Sequence, residues 1–475
     1  MLPNLRKDEH LYPVPKLDLK KSDFKDLMNE LKGFHEQFAD CFQRSESREH
    51  FFNYMVGQFS ELERKSIEPI ALAVKDGNVR AMQRFISRAP WDDNKIMIKY
   101  RSLVNDDFSS PDAALVFDES SFIKKGDDSI GVARQYCGSI GKVDNCQVGV
   151  FAAYVSDHGY CLVDKRLFIP EVWFSDAYRE RRRKCELPPE TLFQTKPQLA
   201  ADMLKSLAAE EQLPFKYVLA DSVYGMSPEF IEAAEALPDI TYFVSVPKSM
   251  PCWLKRPMTI VKHYRWGGKT RSKTVLADTT SKSISAEELA KNINPYFWYR
   301  RQVSEGAKGP IVYEFTRRRI VVSVEGLPQK SLWLLIRRSL GENPEYAYFV
   351  TNASSAVRLN TLVWLSGLRW AIEQCFEETK TELGMDHYEV RKFMGWHHHI
   401  LTCMLAHFFM WHLKIRLGKK STVHYAIAAE DPPEAYLADA TTHSALAYRL
   451  DCVDPRKKPS RLSFSPTKTI ANNSC

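Results

Sequence analysis

The fold is decided by Tyr217-Val218-Leu219-Ala220-Asp221, a short apolar run that closes on a carboxylate. An unbroken apolar run of this length is typical of a strand that is buried on both faces of a sheet. A second run of the same kind covers residues 113–117 and ends at Asp118. Functional groups gather at the carboxyl ends of strands in open α/β sheets, so the two runs indicate a site at one sheet edge. An Asp in this position also commonly begins a turn, and the pair alone does not decide between these readings.

The residues around these two runs predict a mixed α/β sheet. Two further strands are expected over residues 147–155 and 161–169, with turn residues between them. A helix is predicted around residues 199–211, and another begins at Ser227 with Pro228 at its first helical position. A strand over residues 241–246 follows. The order of three strands, helix, strand, helix and strand is that of an α/β fold.

Residues 20 to about 105 are predicted to be helical. Apolar residues recur at helical spacing in two stripes, from Phe24 to Phe38 and from Phe51 to Leu62. A third helical segment follows a turn at residues 76–78. Such a module is compatible with DNA binding, and equally with a packing domain or a dimerisation arm, because no recognition-helix pattern is legible.

Positive charge is concentrated in residues 251–345, where short alternating strands are expected. This stretch holds 18 Lys and Arg against 8 Asp and Glu, a net charge of +10, whereas the whole chain carries +7. Four tryptophans lie among these charges, at positions 253, 266, 298 and 333. Cations interleaved with aromatic rings favour a nucleic-acid surface, although the rings would also suit the core of a solvated β-domain.

A long helix is predicted from about Arg358 to Leu383, and it carries a third acidic candidate, Glu373. At 100° per residue, Arg369 and Lys380 lie within about 40° of Glu373, beside the apolar stripe of the helix. The three side chains therefore share the edge of the core-facing surface. An exposed i,i+4 salt bridge would give the same pattern and is common on helices.

Three carboxylates in one place would suit a magnesium site. Carboxylate oxygens are hard ligands, and Mg²⁺ commonly binds through one or two of them together with substrate phosphate. Two such ions can activate a water or a 3′-hydroxyl and stabilise the leaving oxygen in phosphodiester chemistry. Glu119, next to Asp118, should point to the other face of its strand and is not expected to be a ligand.

The motifs resemble those of the DDE transposases of bacterial insertion sequences, specifically the type with a Y-x2-R-x3-E-x6-K signature. Arg369, Glu373 and Lys380 match the last three signature positions, whereas Ser366 occupies the Tyr position. The segments V-F-D-E-S-S-F-I-K-K-G around residue 118 and L-A-D-S-V-Y-G around Asp221 resemble the two Asp motifs. A further segment over residues 131–147 also resembles the family, and the similarity covers about residues 45–415.

The resemblance implies an RNase H-like α/β catalytic core interrupted by a β-rich insertion, with a helical domain before it. The spacing between the second Asp and the Glu is too long for an RNase H-like core without an insertion, which agrees with an insertion between these two residues. The predicted organisation is a helical N-terminal domain over residues 1–110, the first part of the core over 111–250, the basic insertion over 251–345, the second part of the core over 346–420, and a C-terminal region over 421–475 with a basic, disordered tail.

The function implied is cut-and-paste transposition of a mobile DNA element. Asp118, Asp221 and Glu373 would be catalytic and would ligate two Mg²⁺ ions, for which Mn²⁺ can substitute. Arg369, Lys380 and Ser366 would contact the DNA, which comprises the terminal inverted repeats and the target. The working form would be a homodimer on paired ends. Two alternatives remain open: an inactive DNA-binding derivative of a transposase, and a nuclease that cuts without joining strands.

Composition places the chain in a reducing compartment. The ten cysteines form no C-x-x-C pair, and the first residues include no apolar signal region. The longest apolar run, over residues 400–413, is too short to span a membrane. We therefore expect a cytoplasmic protein without a membrane partner, associated with the nucleoid when it binds DNA.

Overall fold

The computed structural model describes residues 21–74, 77–267, 269–306 and 309–416. The predicted C-terminal region over residues 421–475 therefore lies outside the described residues. Helices in the described part are α1 (Lys21–Glu36), α2 (Ser45–Phe59), α3 (Ile67–Ala73), α4 (Val79–Arg88), α5 (Asp93–Phe108), α6 (Arg179–Lys184), α7 (Lys196–Glu210), α8 (Ser222–Gly225), α9 (Pro228–Glu235), α10 (Ala286–Lys291), α11 (Leu359–Leu368), α12 (Trp370–Thr381) and α13 (Phe393–Arg416).

Most strands join one mixed sheet, while two form a separate hairpin. The strands are β1 (Ala114–Ile123), β2 (Ala133–Cys137), β3 (Lys142–Val155), β4 (Tyr160–Phe168), β5 (Tyr217–Ala220), β6 (Thr241–Val246), β7 (Pro251–Trp253), β8 (Thr259–Trp266), β9 (Lys269–Leu276), β10 (Ile284–Ser285), β11 (Tyr299–Gly306), β12 (Gly309–Val324), β13 (Leu327–Arg338) and β14 (Tyr346–Thr351).

Five of these strands form the core in the order β4, β3, β1, β5 and β6. β4, β3 and β1 are antiparallel neighbours, whereas β1, β5 and β6 run parallel. This is the strand arrangement of an RNase H-like core, and it confirms the predicted α/β fold. Both deciding runs are fully buried along their length, as unbroken apolar strands should be.

The basic stretch is β-rich, as predicted, but it extends the core sheet and is not a detached domain. β14 pairs with the outer edge of β6, and β13, β12 and β7 follow in turn. Its strands are antiparallel, so hairpin connections are enough to build it. The hairpin formed by β8 and β9 pairs only with itself.

The N-terminal helices pack against α13. The Tyr54 hydroxyl lies 2.8 Å from His399 Nδ1, and His398 Nδ1 lies 2.9 Å from the backbone oxygen of Ile86. The Trp91 ring stacks on the His398 ring at a centroid distance of 3.7 Å. These contacts are buried, so the helical module shares its core with the catalytic sheet.

The helix predicted from Arg358 to Leu383 is two helices, and the single-helix prediction is wrong. α11 ends at Leu368 and α12 begins at Trp370, with Arg369 between them. The Arg369 N–H donates to the backbone oxygen of Gly367 and not to the i−4 carbonyl. The interruption places Arg369 at the start of the helix that carries Glu373.

Two broader expectations can be compared with the described residues. None of their helices is both long and apolar enough to cross a membrane. The cysteines within the described residues are buried free thiols. The apolar stretch over residues 400–413 lies within α13, where most of its side chains are fully buried.

Candidate active site

Asp118 lies on β1 with its side chain 16% exposed. Burial raises the pKa of this carboxyl to about 7, because the ionised form loses its hydration. The Arg369 guanidinium opposes the rise and the charge of Asp221 adds to it. Asp118 is therefore a buried acid that would gain from a nearby cation.

Asp221 follows β5 and caps the short helix α8. Its Oδ1 accepts from the backbone N–H groups of Val223 at 2.9 Å and Tyr224 at 3.4 Å. Phe117 of β1 pairs with Ala220 of β5, so Asp118 and Asp221 are the next residues along two adjacent parallel strands. β5 ends at Ala220, whereas β1 continues to Ile123 and Asp118 is paired with Phe151 of β3. Burial, and then the charge of Glu119, raise the pKa of Asp221. The two aspartates therefore lie at neighbouring strands, but the prediction that Asp118 ends its strand is wrong, because the pairing of β1 with β3 continues beyond it.

Arg369 connects Asp118 to Glu373. Its Nη1 lies 3.3 Å from Asp118 Oδ2, and its Nη2 lies 2.5 Å from Glu373 Oε1. Glu373 itself is 46% exposed on α12. The i,i+4 pair expected from the sequence exists, but its arginine also reaches a strand residue 251 positions away in the chain.

The two other residues assigned to DNA binding lie elsewhere. The Lys380 ammonium donates to the backbone oxygen of Ser121 at 3.2 Å, and it lies 5.3 Å from the centroid of the Phe122 ring. Burial lowers the pKa of Lys380. Ser366 is buried, and its hydroxyl donates to the backbone oxygen of Val363 at 2.6 Å. Neither side chain contacts the three acids in this structure.

Glu119, as alternation predicts, lies on the opposite face of β1 and belongs to a polar group that the sequence did not reveal. Its Oε2 accepts from the buried Tyr224 hydroxyl at 2.7 Å, and its Oε1 lies 2.8 Å from Lys196 Nζ. Tyr224 follows Asp221 by three residues, which is the one local signal that could have located it. The group braces the turn that carries Asp221.

Arg337 is a second residue that sequence reasoning missed. It lies on β13, 4.5 Å from the centroid of the Tyr313 ring, and burial lowers its pKa. The nearby charge of Arg369 lowers that pKa further. The insertion therefore brings a half-buried cation close to Arg369, and this proximity depends on strand pairing across the sheet.

The sequence left two interpretations of the insertion's tryptophans, a nucleic-acid surface and the core of a β-domain, and the four rings differ in which one they fit. Trp253 and Trp298 are buried, and Arg338 stacks on Trp298 at 4.1 Å from its centroid. The Arg317 guanidinium lies over the Trp333 ring, 4.5 Å from its centroid. Trp266 is 69% exposed. Core packing thus explains two of the rings, and only Trp266 is largely open to solvent.

The acidic residues fit a divalent cation in chemistry. Asp118, Asp221 and Glu373 offer hard oxygen donors, and burial together with neighbouring carboxylate charge raises the pKa of the two aspartates. Within the described part of the chain, no group of three or more His, Cys, Asp or Glu side chains is arranged to hold a metal ion. The Arg369 guanidinium supplies the positive charge between Asp118 and Glu373 in this arrangement.

Comparisons with known proteins agree with this description. Residues 37–310, a range that includes both aspartates, match the family model described as DDE superfamily endonuclease. The chain is 26% identical over 344 residues to a probable transposase for insertion sequence element IS701 from Microchaete diplosiphon, covering 71% of this chain and 76% of that one. The resemblance to insertion-sequence DDE transposases is confirmed by both matches.

Two solved structures are similar to the chain over a large part of its length. A piggyBac transposase synaptic complex with hairpin DNA aligns with 85% of this chain and 76% of its own, at 8% identity and a TM-score of 0.38. The NurA nuclease from Sulfolobus solfataricus aligns with 60% of this chain and 86% of its own, at 12% identity and a TM-score of 0.26. The family match spans more than half of the 475 residues, and on that ground the chain belongs to the DDE superfamily endonucleases.

Proposed function

We propose that this protein is a DNA transposase that cleaves at the ends of its own mobile element and joins those ends to target DNA. The proposal rests on the family and on the relative named for an insertion sequence. One structural observation carries it furthest: Arg369 contacts Asp118 and Glu373 together, while Asp221 acts on the pKa of Asp118. Residues far apart in the chain are thus electrostatically coupled.

Asp118, Asp221 and Glu373 would hold two Mg²⁺ ions, with Mn²⁺ as a substitute. Bound there, the ions would activate the attacking oxygen and stabilise the leaving oxygen of a phosphodiester. The structure supports this role through the raised pKa of both aspartates, because a divalent cation favours the ionised carboxylates that burial disfavours. Arg369 would then leave the carboxylates it now contacts.

The reactions proposed are two phosphoryl transfers. In the first, water attacks the phosphorus, the bond to the 3′ oxygen breaks, and a free 3′-hydroxyl and a 5′-phosphate result. In the second, that 3′-hydroxyl attacks a target phosphodiester and displaces its 3′ oxygen, so one bond replaces another. Arg369 would turn its guanidinium from the acids to the phosphate backbone, which its planar fork can bind through two parallel bonds.

The assignment of Lys380 and Ser366 to DNA binding stays a prediction. In the present arrangement Lys380 holds α12 against β1 through Ser121, and the Ser366 hydroxyl is occupied by its own helix. Either side chain would need to change partner to reach DNA. The proposed partners are the terminal inverted repeats and the target, and the proposed assembly is a homodimer, since two ends must be processed together.

A nicking assay on DNA that carries the inverted repeats tests the assignment. Glu373→Gln should reduce Mg²⁺-dependent cleavage at least 100-fold while DNA binding is retained. Glu377→Gln is the matched control, because Glu377 lies one turn along the same helix and is also exposed. If Glu373→Gln cleaves like wild type, or Glu377→Gln is the variant that loses activity, the assignment is wrong.

The two alternative functions give different results with the same protein. A DNA-binding derivative would bind the repeats but would not nick them with Mg²⁺ or Mn²⁺. A nuclease without joining activity would nick them, yet would not transfer pre-nicked ends to a target plasmid. Wild-type protein that performs both steps supports the transposase, and failure of strand transfer with pre-nicked ends contradicts it.

A further inference from the structure

The hairpin of β8 and β9 lies outside the main sheet and is exposed on both faces. Its two strands pair from Thr259 with Leu276 to Trp266 with Lys269. Trp266 is 69% exposed and Tyr264 is 45% exposed. Isolated two-stranded hairpins are marginally stable in water, so an element of this kind gains from a partner surface.

The pairing register sorts the charges onto one face. Directly opposed residues of an antiparallel pair share a face, and faces alternate along each strand. One face, here called the cationic face, consists of Ile260, Lys262, Tyr264, Trp266, Lys269, Arg271, Lys273 and Val275. The other face, here called the opposite face, consists of Thr259, Val261, His263, Arg265, Thr270, Ser272, Thr274 and Leu276, and Arg265 is its one Lys or Arg residue. Four of the five Lys and Arg residues of the hairpin are therefore on the face with its two largest rings.

The cationic face lacks any negative charge of its own. Residues 259–276 include no Asp or Glu. Lys262 is paired directly with Lys273, a like-charge opposition that destabilises a sheet when no anion lies nearby. Elsewhere in the insertion, by contrast, Arg338 is paired with Glu314 at 2.7 Å and stacks on Trp298. The charges of the hairpin are thus arranged for an anion from outside the chain.

We propose that the cationic face of this hairpin binds duplex DNA by lying in the major groove, an inference that rests on the proposed function. The major groove admits a two-stranded β-ribbon, and its walls are phosphates. Eight residues per strand span about 26 Å, which matches most of one helical turn of DNA. Lys262, Arg271 and Lys273 contact the phosphates, while Tyr264 and Trp266 lie toward the base edges.

The positive charge of the cationic face favours DNA over a second copy of the chain as its binding partner. A self-complementary contact would place this face against its own cations, since the same patch meets itself in a two-fold dimer. A nucleic-acid backbone supplies a regular row of anions, and aromatic side chains beside the cations add contact with bases. The opposite face is left toward solvent.

The first test measures binding of the full-length protein to a labelled duplex in EDTA, so that no cleavage occurs. The triple variant Lys262→Gln, Arg271→Gln, Lys273→Gln should bind at least 10-fold more weakly, with a salt slope smaller by about 2–3. The control is Lys205→Gln, Lys248→Gln, Lys291→Gln, which removes the same charge from exposed lysines that have carboxylate neighbours. The control should change affinity less than 3-fold.

The second test keeps every charge and asks which face contacts DNA. A photo-crosslinking residue at position 264, on the cationic face, should crosslink to the duplex. The same residue at position 272, on the opposite face, should not. Equal affinity of the triple variant and wild type, or crosslinking from position 272 only, would overturn the proposal. A change of oligomeric state in the triple variant without loss of DNA affinity would assign the face to a second copy instead.

These tests separate the hairpin from the catalytic proposal. Both are carried out without divalent metal, so a chain that binds DNA through the hairpin but never nicks it would keep this inference and lose the proposed function. Conversely, a protein that nicks its repeats and binds them equally well without the hairpin charges would keep the function and lose this inference.

Discussion

Burial of Asp118 lowers the stability of the folded protein when this carboxyl is ionised. In the unfolded chain an Asp titrates near 3.9, whereas burial raises the pKa of Asp118 to about 7 in the folded protein. Between these values the folded state keeps a proton that the unfolded state releases. Stability therefore falls as pH rises through this window, and the full cost applies above pH 7.

Asp118→Asn should consequently stabilise the protein in EDTA at pH 8, by about 2–4 kcal/mol, and change stability little at pH 4. Urea unfolding at the two pH values measures the difference. Asp176→Asn, at a side chain that is 91% exposed, should be neutral at both. A destabilised Asp118→Asn at pH 8 would show that the carboxylate has a favourable partner in the folded state.

Arg369 competes with a metal ion for Asp118 and Glu373, because its two terminal nitrogens contact both carboxylates. Arg369→Gln should therefore bind Mn²⁺ several-fold more tightly than wild type in calorimetric titration, while its affinity for DNA falls. Lys380→Gln is the control, since Lys380 donates to a backbone oxygen and not to an acid. Weaker Mn²⁺ binding by Arg369→Gln would show that the arginine organises the acids and does not compete for them.

Local spacing in the sequence predicted one contact among these residues and missed others. Helical spacing placed Arg369 beside Glu373, and the ion pair is present. Its second contact, to Asp118, depends on how α12 packs on β1, and a one-dimensional pattern contains no such information. Ser366 shows the same limit, because its burial follows from the packing of α11.

At the scale of elements, the turn after β5 packs closely against β6 at Gly225. A Cβ added at Gly225 would lie 2.4 Å from the backbone oxygen of Ser245 and 3.0 Å from Val244. Since a backbone oxygen on β6 cannot move without disturbing the sheet, the α8 turn would shift instead. That turn is the one Asp221 caps.

Gly225→Ala should therefore destabilise the protein by about 1–3 kcal/mol and reduce cleavage more than DNA binding. Gly126→Ala is the matched control, because nothing lies within 4 Å of a Cβ there. Thermal unfolding and the nicking assay measure the two effects. Equal stability and activity of Gly225→Ala and Gly126→Ala would contradict the packing described.

Elements were predictable where their signal is local. The turn at residues 156–159 and the strands on either side of it follow the sequence closely. The break at Arg369 was missed because apolar spacing continues across it. Pairing of β14 with β6 was also missed, since edge pairing between distant strands leaves no mark in either strand.

At the scale of the whole molecule, buried contacts join the first helices to α13. The sequence left DNA binding, packing and dimerisation open for this module. Tyr54 is fully buried, and its hydroxyl contacts His399 across 345 positions of chain. These contacts give the module a packing role.

Tyr54→Phe should lower the free energy of unfolding by about 1–3 kcal/mol, because it leaves a buried histidine nitrogen without that partner. Urea unfolding followed by fluorescence and by circular dichroism should give one coincident transition in both proteins. Tyr136→Phe, at a side chain that is 61% exposed, should be neutral. Separate transitions in wild type would show that the module and the sheet fold independently.

The central claim is that Asp118, Asp221 and Glu373 form one metal site, and Mn²⁺ titration of the metal-free protein at pH 8 tests it most directly. Wild type and Glu377→Gln should bind alike, whereas Asp118→Asn, Asp221→Asn and Glu373→Gln should each weaken binding at least 10-fold. Wild-type affinity in any one of those three variants, with the fold intact, would contradict the claim.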